Sequence, residues 1–90
     1  MANSVTSMYL AKVFVTLKPS VSDPQGLTIL GGLQSLGFDT VDDVRAGKYM
    51  EIRLEEGSES VASACIEEMC SKLLANPIVE DYRFELYKAD

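Results

Sequence analysis

The sequence contains no histidine and no tryptophan, only two cysteines and three prolines, and eight basic residues against fourteen acidic ones in 90 positions. The missing histidine removes the commonest general base and metal ligand, and with them any Ser-His or Cys-His nucleophile pair. A formal charge of -6 does not suit a DNA- or RNA-binding role, which needs Lys and Arg clustered against phosphates. No apolar run approaches the roughly 20 residues that cross a bilayer. Residues 1–7 lack the basic and apolar regions of a signal peptide and are expected to be a frayed, disordered tail. The expected location is therefore cytoplasmic. Cys65 and Cys70 fall on one expected helix, about 140° apart around its axis. A disulfide between them would be strained, and a metal would find no further soft ligands. They read as small core hydrophobes of a reducing compartment.

What is present is an ordinary globular composition, 47% hydrophobic and 24% charged, long enough for one domain over residues 8–90 and too short for two. Residues 9–18 are rich in β-branched and aromatic side chains and predict a strand. Asp23-Pro24 then starts a helix, with Asp as N-cap and Pro at the first helical position. Ile29, Leu30, Leu33 and Leu36 form its apolar stripe, and Gly37 fits a left-handed C-terminal position. Gly26, Gly31 and Gly32 weaken this helix by about 1 kcal/mol each relative to Ala. Three such residues point to at least one close backbone approach.

Two extended stretches follow, 40–46 and 48–55, pivoting at Ala46-Gly47. The second alternates Met50, Ile52 and Leu54 against Tyr49, Glu51, Arg53 and Glu55. Ser58 caps a second helix that carries Ala62, Cys65, Ile66, Met69 and Leu73 inward and stops at Asn76-Pro77. A last strand, 78–87, turns Tyr82, Phe84 and Leu86 one way. The fold class is α+β: a two-layer, ferredoxin-like β-α-β-β-α-β order with two helices on one face of an antiparallel sheet.

The second face of such a sheet should be wet and polar. Here the alternation places Leu10, Phe14, Tyr49 and Tyr87 on it, more large apolar surface than a monomer of this size normally exposes. These four residues are the candidate homodimer interface.

The candidate chemistry is thin. Asp42 and Asp43 point to opposite faces of an extended chain and share neither proton nor metal. Asp23 at a helix N-terminus is a cap rather than an anion site. The glycine-containing turn at Asp23-Pro24-Gln25-Gly26 lacks the arginine and asparagine of an acylphosphatase site. Cys65 and Cys70 do not form a CxxC motif. Arg45-Ala46-Gly47-Lys48 is the one local basic cluster, suited to an acidic partner or a phosphate. No catalytic set, cofactor site or metal site emerges.

Several blocks together carry a resemblance: Val15-Thr16-Leu17-Lys18-Pro19, Asp23-Pro24-Gln25-Gly26, Leu36-Gly37-Phe38 and Val44-Arg45-Ala46-Gly47-Lys48-Tyr49-Met50-Glu51. They continue with Met69-Cys70, Leu73-Leu74-Ala75-Asn76-Pro77 and Glu80-Asp81-Tyr82-Arg83-Phe84. In this order and spacing the chain resembles the PurS family, the small subunit of phosphoribosylformylglycinamidine (FGAM) synthase. The resemblance implies a homodimer or homotetramer without catalytic residues that bridges a glutaminase subunit, PurQ, and a synthetase subunit, PurL. It also implies that PurL, not this chain, uses the ATP and magnesium, and that ammonia passes between the larger subunits. The loops carrying Arg45, Gly47, Lys48, Asn76 and Pro77 are then the expected contacts to PurL and PurQ. A dimeric, ACT-like amino-acid sensor is the alternative with the same strand order.

Overall fold

Strict alternation in three segments dictates the sheet. In the computed structural model, which describes residues 6–89, β1 (Ser7–Leu17) is the central strand. It pairs antiparallel with β2 (Gly47–Glu56) on one side and β3 (Glu80–Lys88) on the other. The register sets Val13 between Met50 and Phe84, and Ala11 between Ile52 and Leu86. The period of two therefore gathers all these side chains on one inner face. Positions 1–5 of the expected tail lie outside the described residues. Ser7 does not belong to a tail, because it already pairs with Glu56 at the start of β1.

The helix α2 (Glu59–Met69) covers the inner face and completes the core. Its Ala62 and Ile66 are fully buried, and Ile66 packs with Ala11, Val13 and Val15. Ser58 Oγ accepts the Val61 N–H at 3.3 Å, and Glu59 sits in the electropositive first turn. The helix ends in a π turn, Cys70–Leu74, closed by Ala75 N–H donating to Cys70 O at 3.0 Å. That wider turn shifts the helical phase. Cys70 turns inward and is buried, whereas Leu73, expected inside, is 83% exposed. Cys65 is only half-buried, with its thiol 3.5 Å from the Glu56 carboxylate.

The α+β, ferredoxin-like class stands, with two helices in the connections of an antiparallel sheet. Of the two middle extended stretches only β2 is a sheet strand among the described residues; 40–46 runs straight into it. A tight hairpin at Ala46-Gly47 would need positive φ, and among the described residues only Gly37 has it, at 96°. The Ala46 N–H is instead taken by the Asp23 carboxylate at 2.7 Å.

The other helix, α1 (Pro24–Ser35), has the expected ends. Asp23 accepts the Gly26 N–H at 3.0 Å. The C-terminus closes on Gly37 and Phe38, whose N–H groups donate to Gln34 O and Leu33 O, each at 3.0 Å. Gly26 is the close approach, since a Cβ there would lie 2.2 Å from Val44 O. Beyond that anchor α1 makes little contact with the sheet or α2: Gly26 is its only buried residue, and Leu30 and Leu33 are partly covered. Only α2 occupies the sheet face on which both helices were expected. The clasp at Asp23 fixes the start of α1 beside 44–46, at the end of the sheet, so the helix extends the molecule to 64 Å. The radius of gyration is 17.9 Å, against about 12 Å for a self-covered chain of this length.

Candidate functional site

The outer face of the sheet is an ordered surface rather than a scatter of exposed residues. On β1 it carries the half-buried Leu10, Lys12 and Phe14; on β2, Tyr49, Glu51 and Arg53; on β3, Arg83, Glu85 and Tyr87. Antiparallel pairing sets Phe14 between Tyr49 and Arg83 and sets Leu10 between Arg53 and Tyr87. The Phe14 and Tyr49 rings lie 5.1 Å apart at 42°, and the Arg83 guanidinium stacks over the Phe14 ring at 4.0 Å. Lys12 Nζ sits 5.2 Å from the centre of the Tyr87 ring. The structure therefore brings the four interface candidates, Leu10, Phe14, Tyr49 and Tyr87, onto one surface, with both tyrosines about half exposed (49% and 47%).

Hydrogen bonds fix this surface. Tyr49 Oη donates to Glu51 at 2.6 Å and Tyr87 Oη to Glu85 at 2.7 Å. The bond to Glu51, helped by partial desolvation, pushes the Tyr49 hydroxyl up to about 12. Glu85 is held below its usual value by the Tyr87 hydroxyl and then by Arg83. Both tyrosines thus stay neutral donors, and Glu85 a charged acceptor, through the physiological range.

The five loop candidates gather at one end of the sheet, where β1 leaves it and β2 and β3 enter. Arg45 is engaged within the chain: its Nη2 donates to Lys18 O at 2.9 Å and Val21 O at 2.8 Å. Gly47 is needed for contact, as a Cβ there would meet Val15 O at 2.4 Å. Lys48 pairs with Glu80 at 3.7 Å. Asn76 Oδ1 accepts the Ile78 N–H at 3.1 Å, Glu80 accepts the Asn76 N–H at 2.6 Å, and Pro77 is exposed. A cleft of about 350 Å³ between Thr16, Pro19, Asp43, Arg45 and Asp81 lies at this end.

Asp23 and Glu80 organise that end, and reading the sequence gave them no such role. Asp23 is buried and bonds both Gly26 and Ala46, and those two N–H groups hold its carboxyl below the usual carboxylate range. Its cap role was visible; its second bond, 23 residues along, depends on tertiary structure. The Cys65 and Cys70 thiols are both pushed up, chiefly by desolvation, which lowers their reactivity. Among the described residues no three His, Cys, Asp or Glu side chains cluster to hold a metal ion, and no helix is long and apolar enough to cross a membrane.

Comparison with known proteins settles the family. The family model for PurS, phosphoribosylformylglycinamidine (FGAM) synthase, matches residues 10–88. The chain belongs to the PurS family. It is 47% identical over 83 residues to the PurS subunit of the synthase from Synechocystis, covering 92% of this chain and 83% of that one. The solved PurS of Bacillus subtilis superposes with a TM-score of 0.78 at 48% identity, over 89% of this chain and 99% of that one. A chain of the solved PurLQS of Thermotoga maritima superposes with a TM-score of 0.82 at 28% identity, over 89% and 98%. PurS membership makes this chain a subunit of FGAM synthase, in purine biosynthesis.

Proposed function

We propose that this chain is the non-catalytic bridge of a cytoplasmic FGAM synthase complex. In this reading it joins the glutaminase PurQ to the synthetase PurL and assists ammonia transfer between them. The reaction served is the ATP- and glutamine-dependent conversion of formylglycinamide ribonucleotide to its amidine, with ATP and magnesium on the synthetase. The observation that carries this reading is the similarity to a chain of the PurLQS structure over nearly that chain's full length. There is a physical reason for a bridge without chemistry of its own. Ammonia in neutral water is mostly protonated and non-nucleophilic, so a rigid part that aligns two sites and keeps water out preserves it.

Two surfaces divide the work. The outer sheet face, around Leu10, Phe14, Tyr49 and Tyr87, makes the homodimer. The loop end of the sheet meets the larger subunits through Lys48, Gly47, Asn76 and Pro77, while Arg45 shapes that end from within. Purified glutaminase and synthetase test the bridge. Glutamine-dependent turnover should require this chain, while turnover driven by added ammonium salt should not. Equal glutamine-dependent turnover with and without it would overturn the reading. Phe14→Glu should shift the chain to monomer in sedimentation without loss of helical signal, and an unchanged dimer would remove the interface assignment.

A further inference from the structure

The central side chains of the outer face repeat their chemistry under a half-turn. Across the sheet, Arg53, Leu10 and Tyr87 form one row, Glu51, Lys12 and Glu85 the next, and Tyr49, Phe14 and Arg83 the third. Rotation by 180° about the sheet normal at Lys12 exchanges arginine with arginine, tyrosine with tyrosine, glutamate with glutamate and Leu10 with Phe14. The two tyrosine bonds follow the same symmetry, since each hydroxyl donates to the glutamate beside it on its own strand, at 2.6 and 2.7 Å, whereas the Arg83–Glu85 pair at 3.2 Å and Lys12 over the Tyr87 ring belong to the β3 side. Nothing in backbone geometry forces this, since β2 and β3 have unrelated sequences.

We propose that this array docks on the same array of a second copy, about a two-fold axis in the plane of contact that passes over Lys12. The proposal rests on the outer face being the homodimer interface and adds its register. In an isologous contact each position meets its rotated mate. Whether the axis runs along the strands or across them, every arginine then faces a tyrosine of the second copy and Leu10 and Phe14 face apolar partners. Arginine over a tyrosine ring is a favourable pairing. In the middle row the same axis sets Lys12 over Lys12 and glutamate over glutamate of the second copy, so the favourable charge contacts there are diagonal, from each lysine to the glutamates on either side of its counterpart. The array holds three cations and two anions, whereas the chain as a whole carries -6, so its acidic excess lies outside the array. Stacking these faces therefore keeps the acidic excess away from the contact. Strand length and spacing give about 500 Å² per copy, below the roughly 800 Å² of a standard interface, so the association should be reversible and concentration-dependent.

Sedimentation of the full chain over a concentration series tests the register. Tyr49→Ala and Tyr87→Ala should weaken self-association equally, within about twofold of each other and by about tenfold from the parent. Lys12→Glu and the double variant Glu51→Lys/Glu85→Lys should each associate poorly alone and recover when mixed. All these side chains are at least partly exposed, and circular dichroism confirms that each variant keeps its fold. Unequal tyrosine effects without recovery on mixing would overturn the two-fold register while leaving the outer face as the interface. Association unchanged in every variant would overturn both.

Discussion

The two helices are of nearly equal length and are capped alike, yet they are held by different forces. α2 buries Ala62 and Ile66, the latter against the central strand, and continues into the buried Cys70. α1 buries only Gly26, and its Leu27 and Leu36 are more than half exposed. The first is stabilised by removing apolar area from water, worth about 25 cal/mol per Å². The second depends on its ends: the Asp23 cap, the Gly37 closure and one backbone contact to Val44. α1 is also free of charged residues along Pro24–Ser35. Isolated helices of this length are marginal in water, so the persistence of α1 rests on its anchoring.

The largest break in that contrast comes from the core. Ile66→Ala should cost about 2–5 kcal/mol in urea titration, through lost burial and the cavity left under Val13 and Val15. Leu36→Ala, at 76% exposure, should stay within about 0.5 kcal/mol in the dilute chain. Equal losses would mean that α1 is packed as α2 is. The glycines sharpen the point within α1. Gly26→Ala should cost about 1–3 kcal/mol, because the methyl group would enter the space of Val44 O. Gly31→Ala and Gly32→Ala meet nothing within 4 Å and should each stabilise by about 0.5–1 kcal/mol. A loss at either site, read from melting at rising protein concentration, would show another chain packed against that side of the helix.

Local rules make most of this legible in the sequence. The inner and outer faces of β1, β2 and β3 follow from alternation, as Met50, Ile52 and Leu54 and their neighbours Tyr49, Glu51 and Arg53 show. Both N-caps and the Gly37 turn follow from short-range residue chemistry. What escaped depends on distant partners. Residues 40–46 look like a strand and form none, because the course of the chain at Ala46-Gly47 and the Asp23 bond to Ala46 N–H decide whether they pair. The phase slip that exposes Leu73 comes from a π turn, for which the sequence carries no strong signal. On the outer face the four large side chains were predictable one by one, but the two-fold pattern appears only once the register of β3 on β1 is known.

The smallest expected effect separates the two helix starts by their protonation. Asp23 is held below its ordinary value of 3.8 mainly by the Gly26 N–H and then by that of Ala46. A carboxylate whose folded pKa is depressed contributes stability at pH values above the unfolded one and loses it as pH falls through the folded one. The Asp23 clasp should therefore be intact at neutral pH and weaken below about pH 4. Ser58, which caps α2 through an uncharged hydroxyl, has no such titration. Glu85 is depressed as well, so overall melting in acid mixes two contributions and a local readout is needed. Amide exchange between pH 5 and pH 3, corrected for its intrinsic acid dependence, should show protection falling at Gly26 and Ala46 while Val61 keeps its own. In Asp23→Asn the amide side chain places a donor against one of those two N–H groups, so protection should already be low at pH 5 and change little with acid. Parallel losses at Gly26 and Val61 would show that both helices open together, and that the clasp does not set the stability of α1 on its own.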